Sequence, residues 1–428
     1  MPRRQLEELQ LLRLKQTLAR VYDNVGIYRS RMQQADVVPE DICTLDDIGC
    51  LPFMQKADLR SAYPYGLFAA DRREIVRLHA SSGTTGKPII AGYTKSDIAM
   101  WSEVVARCMG CAHIDASDTI QVSYGYGLFT GGLGVHYGAE KVGAQVLPTS
   151  AGNTQRQLML MRDLGVTVLA CTPSYALLLG ERMREEGVED GSLKLNKGIF
   201  GAEPWTEEMR ERIQQMLGIT ALDIYGLTEI IGPGVAMECM EARHGLHIWE
   251  DHFLIEILHP ETHERVPDGE TGELVISTLT KQGMPILRYQ THDLTSIIPE
   301  PCPCGRTHRR IQRLKGRTDD MLIIRGVNVF PSQVEAAIAN LEGISPRYML
   351  LVDRVNNLDT LRVQVELAPD FIFDEVSAVQ RLNRRVQKAV EQTIGLSIEL
   401  QLVEPGSIER SEGKSRRVVD SRRLYEEK

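Results

Sequence analysis

The chain lacks most of the features that mark secreted, membrane-bound or polyanion-binding proteins. Only 8 of its 428 residues are cysteine, too few and too irregularly spaced for a disulfide framework, so they read as reduced thiols in a cytoplasm. No run approaches the roughly 18 apolar residues that a membrane helix needs. The best, around Val166 to Ala170, is soon interrupted. The start Met1-Pro2-Arg3-Arg4 leads into Gln5, Glu7 and Glu8, not into the apolar segment of a secretion signal. Basic charge is also short: 49 Lys and Arg against 58 Asp and Glu leave −9, which disfavours nucleic acid or an anionic membrane as partner. There is no internal repeat and no low-complexity segment. At about 150 residues per domain, two or three domains are expected, with ample material for a core.

The first 60 or so residues place Leu6, Leu9, Leu12, Leu18 and Val21 at mainly three-residue steps among charges, close to the spacing of an amphipathic helix. From Ile75 to about Val275, short runs (Ile120 to Val122, Ala144 to Leu147, Val166 to Cys171, Leu222 to Ile224) alternate with helical patterns. One of these helices begins at Thr94, capped with Asp97 three positions on. Such alternation indicates an α/β layer structure. From about residue 320 a new set of elements starts. It has a helix on Val334, Ala337, Ile338 and Leu341, a strand on Leu361, Val363, Val365 and Leu367, a helix from Val376 to Val390 and a strand from Leu396 to Leu402. This predicts a small α+β module. The polar stretch Gly316-Arg317-Thr318-Asp319-Asp320 before it reads as a hinge. The expected division is residues 1–318 and 319–428.

The sharpest local signal is Ser81-Ser82-Gly83-Thr84-Thr85-Gly86-Lys87-Pro88. Small residues let the backbone curl so that successive N–H groups face an anion; hydroxyls add donors and Lys87 adds charge. It is not a Walker A loop, because Ser81 stands where that pattern needs its first Gly and Pro88 where it needs Ser or Thr. A Gly/Ser/Thr-rich surface hairpin is the plainer alternative.

Ser82 to Pro88 resembles the phosphate-loop signature of the adenylate-forming superfamily, the acyl-CoA synthetases, aryl-CoA ligases and adenylation domains. Tyr225-Gly226-Leu227-Thr228-Glu229, Arg288-Tyr289-Gln290-Thr291-His292-Asp293 and Gly316 to Asp320 are similar to three further signatures, in the family's order. Within the superfamily, Lys56-Ala57-Asp58-Leu59-Arg60, Tyr124 to Gly132 and Ile324 to Glu335 resemble the phenylacetate-CoA ligase family. The resemblance spans about residues 10 to 425.

The resemblance implies an α/β fold: a large N-terminal adenylate-forming domain of mixed sheets and helices, with a small mobile C-terminal α+β domain. It implies ATP-dependent conversion of an aryl acid to an acyl-adenylate, then transfer to coenzyme A. Thr228 would bind phosphate and Glu229 Mg²⁺, with Tyr225 and Gly226 beside them. Asp293 would take the ribose hydroxyls, Arg317 the ribose or phosphate side, and Gly201-Ala202-Glu203-Pro204 would edge the adenine and the acid. Arg325 and Gly326 would border the pantetheine path, Asp319 would be the pivot, and Lys414 in Ser411-Glu412-Gly413-Lys414 the catalytic lysine. Glu409 stands where the family's loop commonly has a Pro.

Residues 124 to 138 carry six Gly beside Tyr124, Tyr126, Phe129 and Tyr137. Glycines allow close backbone approach and rings form an apolar wall, so Tyr124, Tyr126, Phe129 and Gly131 are expected to line a flat acid's pocket. Cys239, His247, Cys302 and Cys304 are read as ligands of a structural Zn²⁺, with His308 or His244 as the alternative nitrogen donor and two reduced thiols at a turn as the plainer reading. Two rival functions stay open. One is an adenylate-forming ligase with another acid or acceptor, like coenzyme F390 synthetases. The other is a zinc-containing nucleic-acid-binding protein, suggested by the Cys/His group and the basic run Arg306, Arg309, Arg310, Arg313, Lys315 and Arg317. Small-molecule partners are expected, and monomer and homodimer are both open.

Overall fold

The computed structural model describes residues 1–81, 87–187, 192–203, 205, 207–314, 316–317, 322–329, 331–338, 341–355, 358–368, 376–408 and 418–422. Helices α1 (Arg3–Asn24), α2 (Gly26–Gln34) and α3 (Lys56–Ser61) open the chain. The buried stripe of α1 is Leu6, Gln10, Leu14, Thr17, Leu18 and Val21. Its steps of four and three track the 3.6-residue turn, so Leu12, expected on the stripe, is left 54% exposed. The helix is also held by polar contacts: the Gln10 amide donates to the Glu250 carbonyl at 2.8 Å and the Thr17 hydroxyl to that of Leu279 at 2.9 Å.

Strands β1 (Ile75–Ala80) and β2 (Ile90–Thr94) form an antiparallel hairpin. Helix α4 (Lys95–Cys111) follows, with Thr94 and Asp97 in the expected reciprocal cap. Next come β3 (Thr119–Val122), α5 (Gly131–Val142), β4 (Gln145–Leu147), α6 (Thr154–Asp163), β5 (Val168–Cys171), α7 (Pro173–Glu185), β6 (Lys197–Phe200), α8 (Glu207–Leu217) and β7 (Thr220–Leu227). The strands lie parallel in the order β4-β3-β5-β6-β7. Strands β8 (Gly232–Met237) and β9 (Leu246–Ile248) extend them antiparallel. Side chains alternate between two cores. Val168, Ala170, Ile199 and Leu222 join residues of α4 and α5, while Leu169, Cys171, Phe200 and Ala221 join those of α6 to α8. A parallel sheet covered on both faces needs no polar alternation, which is why Val168–Cys171 has none.

A second, antiparallel sheet is built from β10 (Phe253–Leu258), β11 (Gly272–Thr278) and β12 (Tyr289–Thr295). After β13 (Ile297–Ile298) and β14 (Arg310–Ile311) extend the large sheet past β9, β15 (Gly316–Arg317) pairs on β12. The remainder is the hairpin β16 (Leu322–Ile324) and β17 (Val327–Val329), then α9 (Pro331–Ile338), β18 (Ile344–Val355), β19 (Leu358–Leu367), α10 (Val376–Ile394), β20 (Glu399–Val403) and β21 (Val418–Asp420). Its sheet order is β20-β19-β18-β21, and its core runs from Leu322 to Ile398 without residues from the rest of the chain. Helix α10 buries Leu382, Val386, Val390 and Ile394 at four-residue steps, each side chain contributing about 1.5–3 kcal/mol. Strand β18 has no counterpart in the sequence expectation, because its register shifts between Ile344 and Tyr348 and breaks the two-residue period.

Candidate active site

The carboxyl ends of the parallel strands gather most of the expected residues. Tyr124 follows β3, Gly201 to Glu203 follow β6, and Tyr225 to Glu229 end β7 and lead out of it. A crevice forms at this edge where connections diverge, here at β3, which lies between β4 and β5. Tyr124 spans that point, its hydroxyl donating to the Cys171 carbonyl at 2.6 Å. Burial holds this hydroxyl well above its usual pKa, so it stays a donor. At the end of β6 a Cβ on Gly201 would sit 2.3 Å from the Ile224 carbonyl oxygen, so only glycine fits. Ala202 next to it is left-handed at φ 71°, and Glu203 is buried. Pro204 lies outside the described residues.

Asp293 on β12 is 5% exposed, and both of its oxygens are fixed. The Tyr225 hydroxyl donates to Oδ2 at 2.7 Å and Arg317 Nη1 to Oδ1 at 2.6 Å. Burial, then the Asp293 carboxylate, push the Tyr225 hydroxyl well above its ordinary value, so the proton stays on tyrosine. Arg317 arrives through β15, in register with Asp293. A carboxylate offers about four acceptor positions on its two oxygens, which is the chemistry that holding paired hydroxyls requires. Three signatures distant in sequence therefore meet at one carboxylate.

Thr228 Oγ1 lies 3.2 Å from Thr130 Oγ1, just before α5. Glu229 is buried. Gly226 is required where β7 meets β8, since a Cβ there would lie 1.9 Å from the Gly232 carbonyl oxygen. The turn after Glu229 is held by three side chains with no part in any motif: Lys281, Tyr93 and Trp101.

Ser81 closes the β1–β2 hairpin, its N–H donating to the Ile89 carbonyl at 3.0 Å and its hydroxyl accepting from the Ile89 N–H at 3.2 Å. Lys87 is exposed, its ammonium 5.3 Å from the centre of the Tyr63 ring. Ser82, Gly83, Thr84, Thr85 and Gly86 lie outside the described residues, as do Asp319 and Lys414. Arg325 and Gly326 form the β16–β17 turn at φ 50° and 76°. A Cβ on Gly326 would lie 3.2 Å from Thr172 Cγ2, so this turn of the C-terminal module sits at the carboxyl edge beside the start of α7.

The Gly-rich segment is half loop and half helix. From Gly131 it is α5, and Gly134 and Gly138 face α4: an added Cβ would meet Trp101 at 2.6 Å and Val105 at 2.3 Å. Those glycines set a helix–helix approach instead of a pocket wall. Tyr126 is partly buried, with its hydroxyl 3.1 Å from His136 Nδ1 and His136 Nε2 3.1 Å from Glu140. Phe129 is not enclosed as expected: it is 52% exposed. The Leu128 carbonyl is pinned to β1 by the Ala80 N–H and the His79 ring, which leaves the neighbouring side chain at a rim.

Away from this edge, the Sγ atoms of Cys239, Cys302 and Cys304 and a nitrogen of His247 lie within 4.8 Å of one another. Pairing of β14 with β9 sets Arg310 opposite His247 and so brings the Cys302–Cys304 turn to the His247 ring. Cys239 and Cys302 sulfurs are 3.6 Å apart, and Cys304 Sγ is 3.3 Å from His247 Nε2. Tetrahedral Zn²⁺ bond lengths place sulfurs about 3.8 Å apart and sulfur and nitrogen about 3.6 Å apart. His247 Nδ1 lies 3.3 Å from the His308 carbonyl, which accepts a proton-bearing Nδ1 and leaves Nε2 for a ligand. The alternative donors are used elsewhere: His308 Nδ1 accepts from the Glu250 N–H, and His244 Nε2 lies 3.4 Å from the Gln312 amide.

The profile of the AMP-binding enzyme family matches residues 12–281, and that of the AMP-binding enzyme C-terminal domain residues 326–422. Phenylacetate-coenzyme A ligase of Thermus thermophilus is 47% identical over 99% of this chain and 98% of its own length. The Escherichia coli enzyme of the same name is 48% identical over 98% and 96%. Among solved structures, 2-hydroxyisobutyryl-CoA ligase in complex with 2-HIB-AMP and CoA in the thioesterification state superposes with a TM-score of 0.95 at 28% identity, covering 99% of this chain and 91% of that one. The same ligase in the postadenylation state with 2-HIB-AMP gives 0.72 at 27% identity, with coverage of 99% and 91%. Fold and profiles together define an AMP-binding ligase. More narrowly, the chain belongs to the phenylacetate-coenzyme A ligase family.

Proposed function

We propose that this enzyme activates an aryl acid, phenylacetate first among them, with ATP and transfers the acyl group to coenzyme A. A carboxylate oxygen attacks the α-phosphorus and the bond to pyrophosphate breaks; the thiol of CoA, losing its proton, then attacks the acyl carbon and AMP leaves. The observation that carries the reading is the Asp293 carboxylate, oriented on both oxygens by Tyr225 and Arg317 beside the Thr228–Glu229 turn, in a chain nearly half identical to ligases of that name. Asp293 accepts the two ribose hydroxyls. Donors from the Ser81–Lys87 loop and Thr228 surround the phosphoryl oxygens, where placed donors and charge lower the barrier for two anions. A divalent Mg²⁺ would neutralise phosphate charge, and the buried carboxylate of Glu229 suits that hard cation.

The two half-reactions need different groups at one acyl carbon, so residues 319–428 turn about Asp319, bringing Lys414 in for the first and withdrawing it for the second. The fall in TM-score from 0.95 to 0.72 between two states of one neighbour supports reading this structure in the thioester-forming pose, with the Arg325–Gly326 turn along the pantetheine path. We propose in addition a structural Zn²⁺ on Cys239, His247, Cys302 and Cys304, since their spacing fits a tetrahedral shell. Eight unpaired thiols support a cytoplasmic setting. No helix among the described residues is long and apolar enough to cross a membrane. Much of the basic run that suggested nucleic acid is committed to the protein itself: Arg310 is buried on the His244 and Glu300 carbonyls, Arg313 pairs with Asp223 and Glu207, and Arg317 pairs with Asp293, while Arg309 beside Asp268 is exposed.

The test is exchange of labelled pyrophosphate into ATP across a panel of aryl, alkyl and amino acids, with thioester formation measured with and without CoA. Exchange stimulated most by an aryl acid and a CoA-dependent thioester are expected; no acid-stimulated exchange would refute the reading. Lys414→Ala should lose exchange yet still transfer acyl from preformed adenylate.

A further inference from the structure

The turn that leaves β7 through Thr228 and Glu229 has no ladder partner for several of its carbonyls, and buried carbonyls must find donors. Two side chains from elsewhere supply them, and a third holds the start of β8 just beyond. Lys281 Nζ donates to the Ile230 carbonyl at 2.7 Å and reaches that of Glu229 at 3.5 Å. The Tyr93 hydroxyl donates to the Ile231 carbonyl at 2.9 Å, and Trp101 Nε1 to that of Pro233 at 2.9 Å. The donors brace one another. Tyr93 and Trp101 stack with ring centres 5.2 Å apart, and the Lys281 ammonium sits 4.8 Å from the centre of the Tyr93 ring. Asp97, itself fully buried, accepts from the N–H groups of Gln282 and Gly283 at 2.6 and 2.8 Å, which fixes the backbone just after Lys281.

A lysine 1% exposed is costly and survives only where charge and hydrogen bonds compensate. Burial pushes its pKa down to about 8, with Asp97 and then Glu229 opposing the fall. A neutral donor would satisfy one carbonyl as well; a cation additionally serves the two carboxylates, one of which is Glu229.

We infer that Lys281 is a positioning residue for the adenylation step, clamping the 229–231 backbone so that Thr228 and Glu229 present their side chains to the triphosphate and its cation. The inference rests on the ligase reading and deepens it. Lys281 touches no reacting atom; it acts through the turn.

The experiment compares the parent enzyme with Lys281→Met and Tyr93→Phe, in the full chain. Pyrophosphate exchange is followed against Mg²⁺ concentration, binding of ATP with Mg²⁺ by calorimetry, and acyl transfer to CoA from preformed phenylacetyl-adenylate. Misplacement of a catalytic group by about an ångström costs on the order of 100-fold, so Lys281→Met should lose about that much exchange. It should also need more Mg²⁺ for half-activity and bind ATP with Mg²⁺ more weakly, while transfer from the adenylate stays near the parent rate. Tyr93→Phe, which deletes one hydroxyl, should shift the same readouts less. Unchanged exchange and Mg²⁺ dependence in Lys281→Met would overturn the inference. So would an equal fall in both half-reactions, which marks a merely structural role. If Lys281→Met does not fold, Tyr93→Phe decides by the same criteria. Absence of exchange in the parent would instead overturn the ligase reading itself, and this inference with it.

Discussion

Replacing Tyr225 with phenylalanine deletes one atom from the proposed ribose site and leaves the ring. The lost bond is 2.7 Å long and ends on a carboxylate 5% exposed. Hydrogen bonds to charged groups contribute about 1.5–3 kcal/mol, which corresponds to about 10- to 150-fold in a binding constant. Arg317 still holds Oδ1, so the carboxylate keeps its charge and one anchor but loses the direction of its second oxygen. The loss should therefore appear in the Michaelis constant for ATP, with those for the acid and CoA near their parent values. A second assay reads binding without turnover. At 100 times the parent dissociation constant, AMP should stabilise the parent by about 2.7 kcal/mol; if affinity is 30-fold weaker, the same AMP gives about 0.9 kcal/mol. The thermal shift produced by AMP should thus shrink to about a third of its parent size. Equal rises in all three Michaelis constants, or an undiminished AMP shift, would show that Asp293 does not hold the ribose.

Metal analysis of protein purified without chelator should find one zinc per chain, and Cys302→Ser should lose it and lower the melting temperature while AMP still binds; metal-free parent protein of normal stability would dispose of the site. Gly138→Ala sets two effects against each other: alanine favours the helix by about 1 kcal/mol, whereas a Cβ 2.3 Å from Val105 overpacks the α4–α5 contact by about 1–3 kcal/mol. Because the clash extends to the Val105 backbone at 3.0 Å, overpacking should win and the melting temperature should fall; a value at or above the parent would contradict that geometry.

How much of this was legible in the sequence depends on what each position must supply. Asp293, Tyr225 and Arg317 lie in separate signatures, and the structure joins them at one carboxylate; the proposed role of accepting two hydroxyls asks for a carboxylate there, and a carboxylate is oriented only by donors. Few residue types serve, so the pattern survives in the sequence. The Cys/His group was legible for the same reason. Which histidine completes it was not, because the choice is made by the pairing of β14 on β9, a contact between segments about sixty residues apart. The stripe of α1 was partly misplaced, and the glycines that pack α5 on α4 were read with a pocket wall, for a different cause. There the requirement is geometric, and Gln10, Thr17 or a glycine serve wherever a backbone passes close by.

Lys281, Tyr93 and Trp101 show the limit most clearly. They reach the turn after Glu229 from 51, 138 and 132 positions away, and what they bind is backbone carbonyl, which every residue has. A carbonyl places no demand on the identity of its donor beyond an N–H or O–H of the right length. Three unlike side chains therefore perform one task, and no spacing rule could have joined them. The positions that bear chemistry are constrained by residue type and can be read along the chain. The positions that hold those residues in place are constrained by distance, and distance is fixed only when β2, α4 and the segment after β11 are folded around the same turn.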